Sequence, residues 1–361
     1  MNCKLKVVSL FSGIGGFEEG LNKSKINYEV VFSSEIDVFA QKSYLANFKN
    51  NNLHGDITLI NEKEIPNHDL LVAGFPCQSF SIAGKQKGFD DVRGTLFFDI
   101  VRILIEKKPK YILLENVKNL ISHNNGKTIR VILSKLNSIG YVVDVTIINS
   151  LESGVPQNRE RTYICGIYNG KNETLLNDIR SSKIDNLKKE FNLLGIKGFN
   201  FFNNLTFNNK QMYINDILED EVAETFYFNS DKIKFYLNSQ SISDILECQT
   251  KIVKLFDLPR DVHNDLERQR RVYSIKGISP TVLARTDTTK LYIETQGTKK
   301  IRKVTPTENF LIQGFDKQFV ENIKNTGMSY TQMYKQSGNA VSPPVITGIF
   351  NQLYKEFICN V

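Results

Sequence analysis

The sequence predicts an α/β fold in which a doubly wound, mostly parallel sheet is joined by a second, smaller β-rich domain. Short apolar runs alternate with helical patterns through the first 170 residues, and a glycine-rich turn follows the first run. From residue 171 the chain becomes rich in Asn and Lys and loses this periodicity. We therefore expect a first domain at 1–180 plus 325–361, a second domain at 181–300, and a connecting segment at 301–324.

The composition is that of an ordinary globular protein, with 41% hydrophobic and 24% charged residues. The apolar run near the start is too short for a signal peptide or a membrane span, so we expect a cytoplasmic protein with no membrane partner. The five cysteines never form a Cys-x-x-Cys pair and the four histidines are scattered, which predicts neither a disulfide framework nor a metal site.

The net charge of +7 permits a polyanionic partner, and basic clusters lie at 268–271 and 299–303. A solvated charged face is an equally good interpretation of these clusters.

The first strand is predicted at 6–11, and the glycine turn 12–16 leads into a helix that begins at Phe17. The turn lacks the Gly-x-Gly-x-x-Gly pattern, so the dinucleotide fingerprint fails and a plain tight turn stays open. A second strand at 28–34 ends before Glu35, where such folds hydrogen-bond a ribose. A helix at 38–47 precedes Asp56, which either lines the same pocket or caps a turn.

A buried strand at 69–73 precedes Phe75, Pro76 and the thiol of Cys77. A lone cysteine is ordinarily inert packing. The carboxyl end of a parallel strand, however, is where ligands bind in such sheets, so this position favours a functional Cys77. The polar segment 85–94 is predicted to be a mobile loop that closes over a substrate, and a helix follows at 96–107.

The next strand, 111–114, brings Glu115 and Asn116 to the same edge of the sheet; a surface salt bridge is the alternative for Glu115. Helix 129–139 and strands 141–148 and 162–167 complete a six- or seven-stranded sheet. Between the last two strands, QNRER at 157–161 carries two arginines able to hold a phosphate or a base edge. Short strands within 271–283 and at 291–294 belong to the small domain, and a helix is predicted at 345–357.

Read in order, these blocks resemble the DNA (cytosine-5)-methyltransferases. FSGIGG at 11–16 is similar to the family's cofactor turn, GFPCQ at 74–78 to its nucleophile motif, and ENV at 115–117 to its cytosine-binding motif. QNRER at 157–161 and GNAV at 338–341 match two further blocks. The run 55–126 is especially similar to bacterial enzymes of restriction-modification systems such as the HhaI methyltransferase.

The resemblance implies the class I S-adenosylmethionine-dependent, Rossmann-like fold, with S-adenosylmethionine as methyl donor, S-adenosylhomocysteine as product and no metal. Cys77 would attack C6 of cytosine, Glu115 would hold N3 and the exocyclic amine, and Arg161 with Arg159 would steady the base. The implied cofactor contacts are Phe11, Ser12, Gly13, Ile14, Gly15, Gly16, Glu35, Ile36, Asp56, Ile57, Pro76, Leu96, Asn339 and Val341.

Double-stranded DNA is the implied partner, and the target base must leave the duplex, at a cost of roughly a few kcal/mol. The second domain would read the sequence. The implied DNA contacts are Gln78, Ser81, Ala83, Lys85, Arg93, Arg268, Gln269, Arg270, Arg271 and Thr281. The sequence departs from the family at Ile36, where an aromatic residue is common, and at Ala83, where the loop of similar enzymes is polar.

We expect a monomer, with a companion restriction endonuclease present genetically but not in a stable complex. A tRNA cytosine-5 methyltransferase is the first alternative, and the long interval between Arg161 and the last blocks argues against it. A silent DNA-binding homologue is the second, although Cys77, Glu115 and Arg161 are all present. A nicotinamide-dependent dehydrogenase fails on the glycine pattern.

Overall fold

A computed structural model describes residues 4–49, 52–76, 96–239, 241–242, 244–264, 267–286, 288–295 and 297–359. The chain divides into two compact units. The first unit comprises Met1–Ile148, Glu160–Thr206 and Val345–Val361, and the second comprises Asn149–Arg159 and Phe207–Pro344. These divisions differ from the predicted domain limits at both ends of the second unit.

The first unit is built on one large sheet. Its strands are β1 (Leu5–Leu10), β2 (Tyr28–Ser34), β3 (Leu53–His54), β4 (Leu70–Gly74), β5 (Tyr111–Val117), β6 (Tyr141–Asn149) and β8 (Glu160–Tyr168), while β7 (Gln157–Asn158) belongs to the second unit. Among the described residues the strand order is β3-β2-β1-β4-β5-β8-β6. The first five strands in the chain pair in parallel, and β8 runs antiparallel to β5. This confirms the predicted α/β class, and the order reverses between β1 and β4, where such folds bind ligands.

The helices, in chain order, are α1 (Gly16–Asn22), α2 (Val38–Asn47), α3 (Leu96–Lys107), α4 (Lys127–Ser138), α5 (Ser182–Lys189), α6 (Asp231–Ser239), α7 (Pro306–Gln313), α8 (Lys317–Asn325), α9 (Tyr330–Asn339) and α10 (Pro343–Leu353). In the first unit, α3 buries Ile100 and Leu104 and α4 buries Ile132 and Leu136 in one core with the strands. None of the helices that the structure describes is both long and apolar enough to cross a membrane.

The segment after β8 remains part of the first unit because its side chains complete that core. Ile184, Leu187 and Phe191 are buried in the same cluster as the sheet residues. Buried Lys188 pairs with Asp144 of β6 at 2.7 Å, and Asp144 also accepts the backbone N–H of Phe202 at 2.8 Å. Burial raises the pKa of Asp144 despite these partners. These contacts account for a unit limit at Thr206 where the sequence predicts a boundary near residue 180.

The second unit contains a smaller sheet with the order β13-β12-β10-β9. Its strands are β9 (Lys254–Asp257), β10 (Arg271–Ser274), β12 (Lys290–Thr295) and β13 (Thr298–Lys303), and β11 (Ser279–Pro280) pairs in parallel with β7. The two faces of this sheet bury different side chains. Tyr273 and Leu291 pack in one apolar cluster, and Val272 and Tyr292 pack in the other.

One arginine of the basic cluster 299–303 is buried rather than presented to solvent. Both terminal nitrogens of Arg302 donate to the carboxylate of Glu308 at 2.7 Å, and Glu308 completes a capping box with Thr305 at the start of α7. Arg302 therefore ties β13 to α7 and is not available to a nucleic acid.

A buried carboxyl group lies beneath the glycine turn of the first unit. Glu18, in the first turn of α1, is 1% exposed and accepts a hydrogen bond from the Tyr44 hydroxyl at 3.2 Å. Burial raises the pKa of Glu18 above its usual range. The folded state thus binds a proton more tightly than the unfolded state, so the free energy of unfolding decreases as pH rises from about 4.5 through the folded-state pKa.

We predict that Glu18→Gln raises the melting temperature at pH 8, because the neutral amide removes the cost of ionising a buried carboxyl. Each unit of pKa displacement corresponds to about 1.4 kcal/mol. Thermal unfolding of wild type and variant across pH 5–8 measures the effect, with Glu29→Gln, at an exposed position of β2, as the matched control. The advantage of the variant should shrink toward pH 5; a difference that does not vary with pH would contradict the assignment.

Candidate active site

The turn after β1 holds two residues in unusual backbone conformations. Phe11, which follows β1, has a φ of +54°, an outlier for a bulky aromatic residue. Gly15 has a φ of +92°, and a Cβ atom there would lie 2.1 Å from the Phe48 ring. Only glycine fits at Gly15, and the strain at Phe11 marks this turn as a functional candidate. Within the turn, Gly13 also has a positive φ, and Ser12, Ile14 and Gly16 are buried.

Glu35, at the end of β2, is oriented by the glycine turn beside it. One carboxylate oxygen accepts the N–H of Gly13 and the other accepts the N–H of Asp37, both at 2.8 Å. The neighbouring Ile36 is 68% exposed. A fixed carboxylate with further acceptor capacity fits the ribose hydroxyls of a nucleoside, and an exposed apolar side chain beside it fits a base. These residues are therefore suited to a nucleoside, which S-adenosylmethionine contains.

Asp56 follows β3 and has the capping role that the sequence leaves open for it. Its Oδ1 accepts both the N–H and the hydroxyl of Thr58, at 2.9 and 2.8 Å. Because both bonds go to Oδ1, the cap is compatible with a ligand contact through Oδ2. Of the other predicted cofactor residues in this unit, Ile57 is buried, Leu96 begins α3 half-buried, and Pro76 is exposed after β4.

Glu115 and Arg161 meet on neighbouring strands of the sheet. The register pairs Val117 of β5 with Arg161 of β8, which makes Glu115 and Arg161 diagonal neighbours on one face. Arg161 Nε lies 3.3 Å from Glu115 Oε1, and both side chains are mostly buried. Glu115 and Arg161, the predicted catalytic residues of the first unit that the structure describes, are thus in contact.

Asn116 links β5 to the segment that leads to Cys77. Its Nδ2 donates to the carbonyl of Phe75 at 2.8 Å, and its Oδ1 accepts the N–H of Val117 at 2.8 Å. Phe75 precedes Cys77 by two residues. The sequence predicts no role for Asn116, because a hydrogen bond to a backbone carbonyl 41 residues away leaves no local signal.

Arg159 lies in the second unit and is 2% exposed. Its guanidinium donates to the carbonyls of Gly338 and Ala340 at 3.0 Å and of Val282 at 3.4 Å. These contacts support a positioning role, and the predicted contact of Arg159 with the base stays a prediction. Asn339 and Val341 also lie in the second unit, exposed and buried respectively.

The predicted DNA-contact residues fall into two groups. Five of them lie outside the described residues: Gln78, Ser81, Ala83, Lys85 and Arg93. The predicted nucleophile Cys77 also lies outside them. The others belong to the second unit, where Arg268 lies in the short helix Glu267–Arg270 and Gln269 and Thr281 line one cavity. Arg270 donates to the Leu258 carbonyl at 2.6 Å, and Arg271 lies 3.9 Å from Asp257. Among the described residues, no three His, Cys, Asp or Glu side chains are grouped as metal ligands.

Residues 5–355 match the family described as C-5 cytosine-specific DNA methylase. The chain belongs to this family. The type II methyltransferase M1.ScrFI of Lactococcus lactis subsp. cremoris is 38% identical over 97% of this chain and 78% of its own length. The orphan methyltransferase M.SPRI of Bacillus phage SPR is 34% identical over 98% of both chains. A crystal structure of a Spodoptera frugiperda DNMT2 mutant has the same fold, with a TM-score of 0.67 and 20% identity over 97% of this chain and all of the other.

Membership in the C-5 cytosine-specific DNA methylase family confirms the resemblance read from the sequence. The protein is a C5 cytosine methyltransferase of an S-adenosylmethionine-dependent family whose substrate is DNA. The matched range spans all five motif blocks, from the glycine turn to GNAV.

We predict that Asn116→Asp lowers kcat while leaving S-adenosylmethionine affinity near wild type. The carboxylate keeps the side chain's shape but cannot donate to the Phe75 carbonyl, and losing a buried hydrogen bond costs about 1–3 kcal/mol, or roughly 5- to 150-fold. Single-turnover kinetics with calorimetric cofactor binding measure both quantities. Asn119→Asp, at an exposed position three residues after Asn116, is the matched control. Unchanged kcat in Asn116→Asp would remove the positioning role.

Proposed function

We propose that the protein transfers a methyl group from S-adenosylmethionine to C5 of a cytosine within a short, specific sequence of duplex DNA. The Glu115–Arg161 pair at the carboxyl edge of the sheet is the observation that carries this proposal. Glu115 is an acidic group that can bind the edge of a cytosine, and the Arg161 guanidinium fixes the orientation of its carboxylate. Membership in the family indicates the reaction, and this pair indicates where the cytosine binds.

In the proposed mechanism the Cys77 thiolate adds to C6 of the cytosine, which makes C5 electron-rich enough to take a methyl group. The C5 proton then leaves and the thiolate is expelled as the C5–C6 double bond re-forms, so the methylated base stays in the DNA and the other products are S-adenosylhomocysteine and one proton. Glu115 binds N3 and the exocyclic amine and offsets the charge that develops on the ring during addition. Arg161 steadies the base and Glu115 together. Asn116 holds the approach to Cys77 through Phe75.

S-adenosylmethionine supplies an activated methyl group when bound. Glu35 would hold the ribose hydroxyls, since its carboxylate is already fixed by two backbone amides. Phe11 and Ile36 would contact the adenine, with Asp56 near the adenine amine. The strained backbone at Phe11 supports this placement because such strain is concentrated at ligand sites.

The second unit is proposed to read the DNA sequence and to help extrude the target base. We propose that the protein acts as a monomer and modifies DNA as part of a restriction-modification system. The name type II methyltransferase of several relatives supports that setting. The phage relatives named orphan methyltransferases support the alternative, a methyltransferase without a companion endonuclease.

Cys77→Ser should abolish methylation while S-adenosylmethionine binding stays near wild type, because the serine hydroxyl is a far weaker nucleophile near neutral pH. The assay is base-resolution mapping of 5-methylcytosine in unmethylated genomic DNA incubated with each protein. Wild type should methylate one short motif and Cys77→Ser none. If the wild type methylated tRNA but not DNA, the substrate would be tRNA rather than DNA. An active Cys77→Ser protein would exclude Cys77 as the nucleophile.

Glu115→Gln should lower kcat by roughly 100-fold or more, because the amide keeps the size of the side chain but cannot pass a proton to N3 as thiolate addition places negative charge on the ring. Steady-state rates on the mapped target sequence measure the loss. Glu160→Gln, which changes the partly exposed partner of Lys118 on the neighbouring strand β8, is the matched control and should stay within a few-fold of wild type. Equal losses in both variants would mean that Glu115 acts only by supporting the sheet.

A further inference from the structure

The second unit carries a cavity of about 230 Å³ between β10, β11 and the start of β12. Its lining includes the cationic residues Arg271, Arg285 and Lys290, and none of the described lining residues is acidic. The amide of Gln269 also lines it. A cavity with this charge attracts a polyanion, and guanidinium and amide groups are the side chains that read base edges.

Arg285 differs from the other two cations in its surroundings. Lys290 is 1% exposed and its Nζ lies 5.5 Å from the centre of the Phe228 ring, while Arg271 lies 3.9 Å from Asp257. Arg285 is exposed, and no ion pair or hydrogen bond to its side chain is present within the described part of the chain. Arg285 is therefore the most solvent-exposed of the three cations that line the cavity.

The backbone that precedes Arg285 is held firmly by other parts of the unit. Val282 donates its N–H to Gln157 at 3.0 Å and gives its carbonyl to Arg159, and the Thr281 hydroxyl donates to the Asn158 carbonyl at 2.7 Å. A Cβ atom on Gly338 would lie 2.3 Å from the Ala284 nitrogen, so only glycine allows this close approach. Residues 281–284 thus form a rigid backbone support for the exposed Arg285.

We propose that Arg285 reads a guanine of the target sequence in the major groove, and that the anchored segment 281–284 sets its register. The inference rests on the proposed function, since it assumes a duplex DNA substrate. A rigid support suits base reading because bidentate contacts require fixed geometry, whereas a phosphate accepts a cation from many directions. The neighbouring amide of Gln269 supports base reading over a phosphate contact, because base edges present both donors and acceptors.

The test compares Arg285→Ala and Arg285→Lys with wild type. Lysine retains the charge but lacks the planar fork, so it separates base reading from charge attraction. Arg260→Ala changes an exposed arginine of the same unit that does not line the cavity, and serves as the control. Each protein is incubated with S-adenosylmethionine and unmethylated genomic DNA, 5-methylcytosine is mapped at base resolution, and rates are measured on the wild-type motif. Melting temperatures establish that each variant is folded.

Both Arg285 variants should lose roughly 10- to 100-fold in kcat/KM on the motif and should accept other bases at one guanine position, while Arg260→Ala keeps the wild-type motif. An Arg285→Lys protein with the wild-type rate and motif would overturn base reading, and would mean that residue 285 contacts a phosphate instead. An unchanged Arg285→Ala protein would overturn any role for this side chain in DNA recognition. A wild-type protein that methylates no DNA would overturn the proposed function, and the inference would fall with it.

Discussion

The pairing register of β4, β5 and β8 is the constraint on which the candidate site depends. Gly74 lies opposite Glu115, and Val117 lies opposite Arg161. A slip of one residue between β5 and β8 would turn Glu115 and Arg161 to opposite faces of the sheet. The hydrogen bond from Asn116 to the Phe75 carbonyl fixes the exit of β4 against the same strand. The site is therefore set by the strand pairing of a buried sheet, which is more rigid than a loop framework.

Buried charged groups specify how peripheral segments dock in each unit. Lys188 and Asp144 hold the segment after β8 to β6, and Arg302 and Glu308 hold β13 to α7. Such pairs add little net stability, because desolvation offsets most of their attraction. Removing one partner leaves the other buried and uncompensated, however, so alternative dockings that separate the pairs are strongly disfavoured. The apolar cores supply stability, and these pairs select one arrangement of the segments.

Local signals allowed much of the fold and of the site to be predicted. The bounds of α2 match the prediction because Asp37 caps its start, and those of α3 match because Pro109 limits its end. The predicted strand 111–114 places Glu115 at the correct edge of the sheet, although β5 continues through Glu115 to Val117. The burial of Arg302 was not predictable, since its partner Glu308 lies in another element, and no local pattern distinguishes it from the exposed lysines beside it.

The two arginines of QNRER show why a motif alone does not assign a role. Arg159 and Arg161 are two residues apart, yet the chain passes between the units at Glu160, so Arg161 joins Glu115 in the first unit while Arg159 is buried in the second. There Arg159 binds the carbonyls of Gly338 and Ala340 and so connects two blocks that lie far apart in the sequence. Gln157 contacts Gln313 and Val282 in the same buried network. Residues of one block thus divide between the arginine proposed to hold the reacting base and the residues that support the segment proposed to read its sequence. Only their hydrogen-bond and ion-pair partners distinguish the two roles.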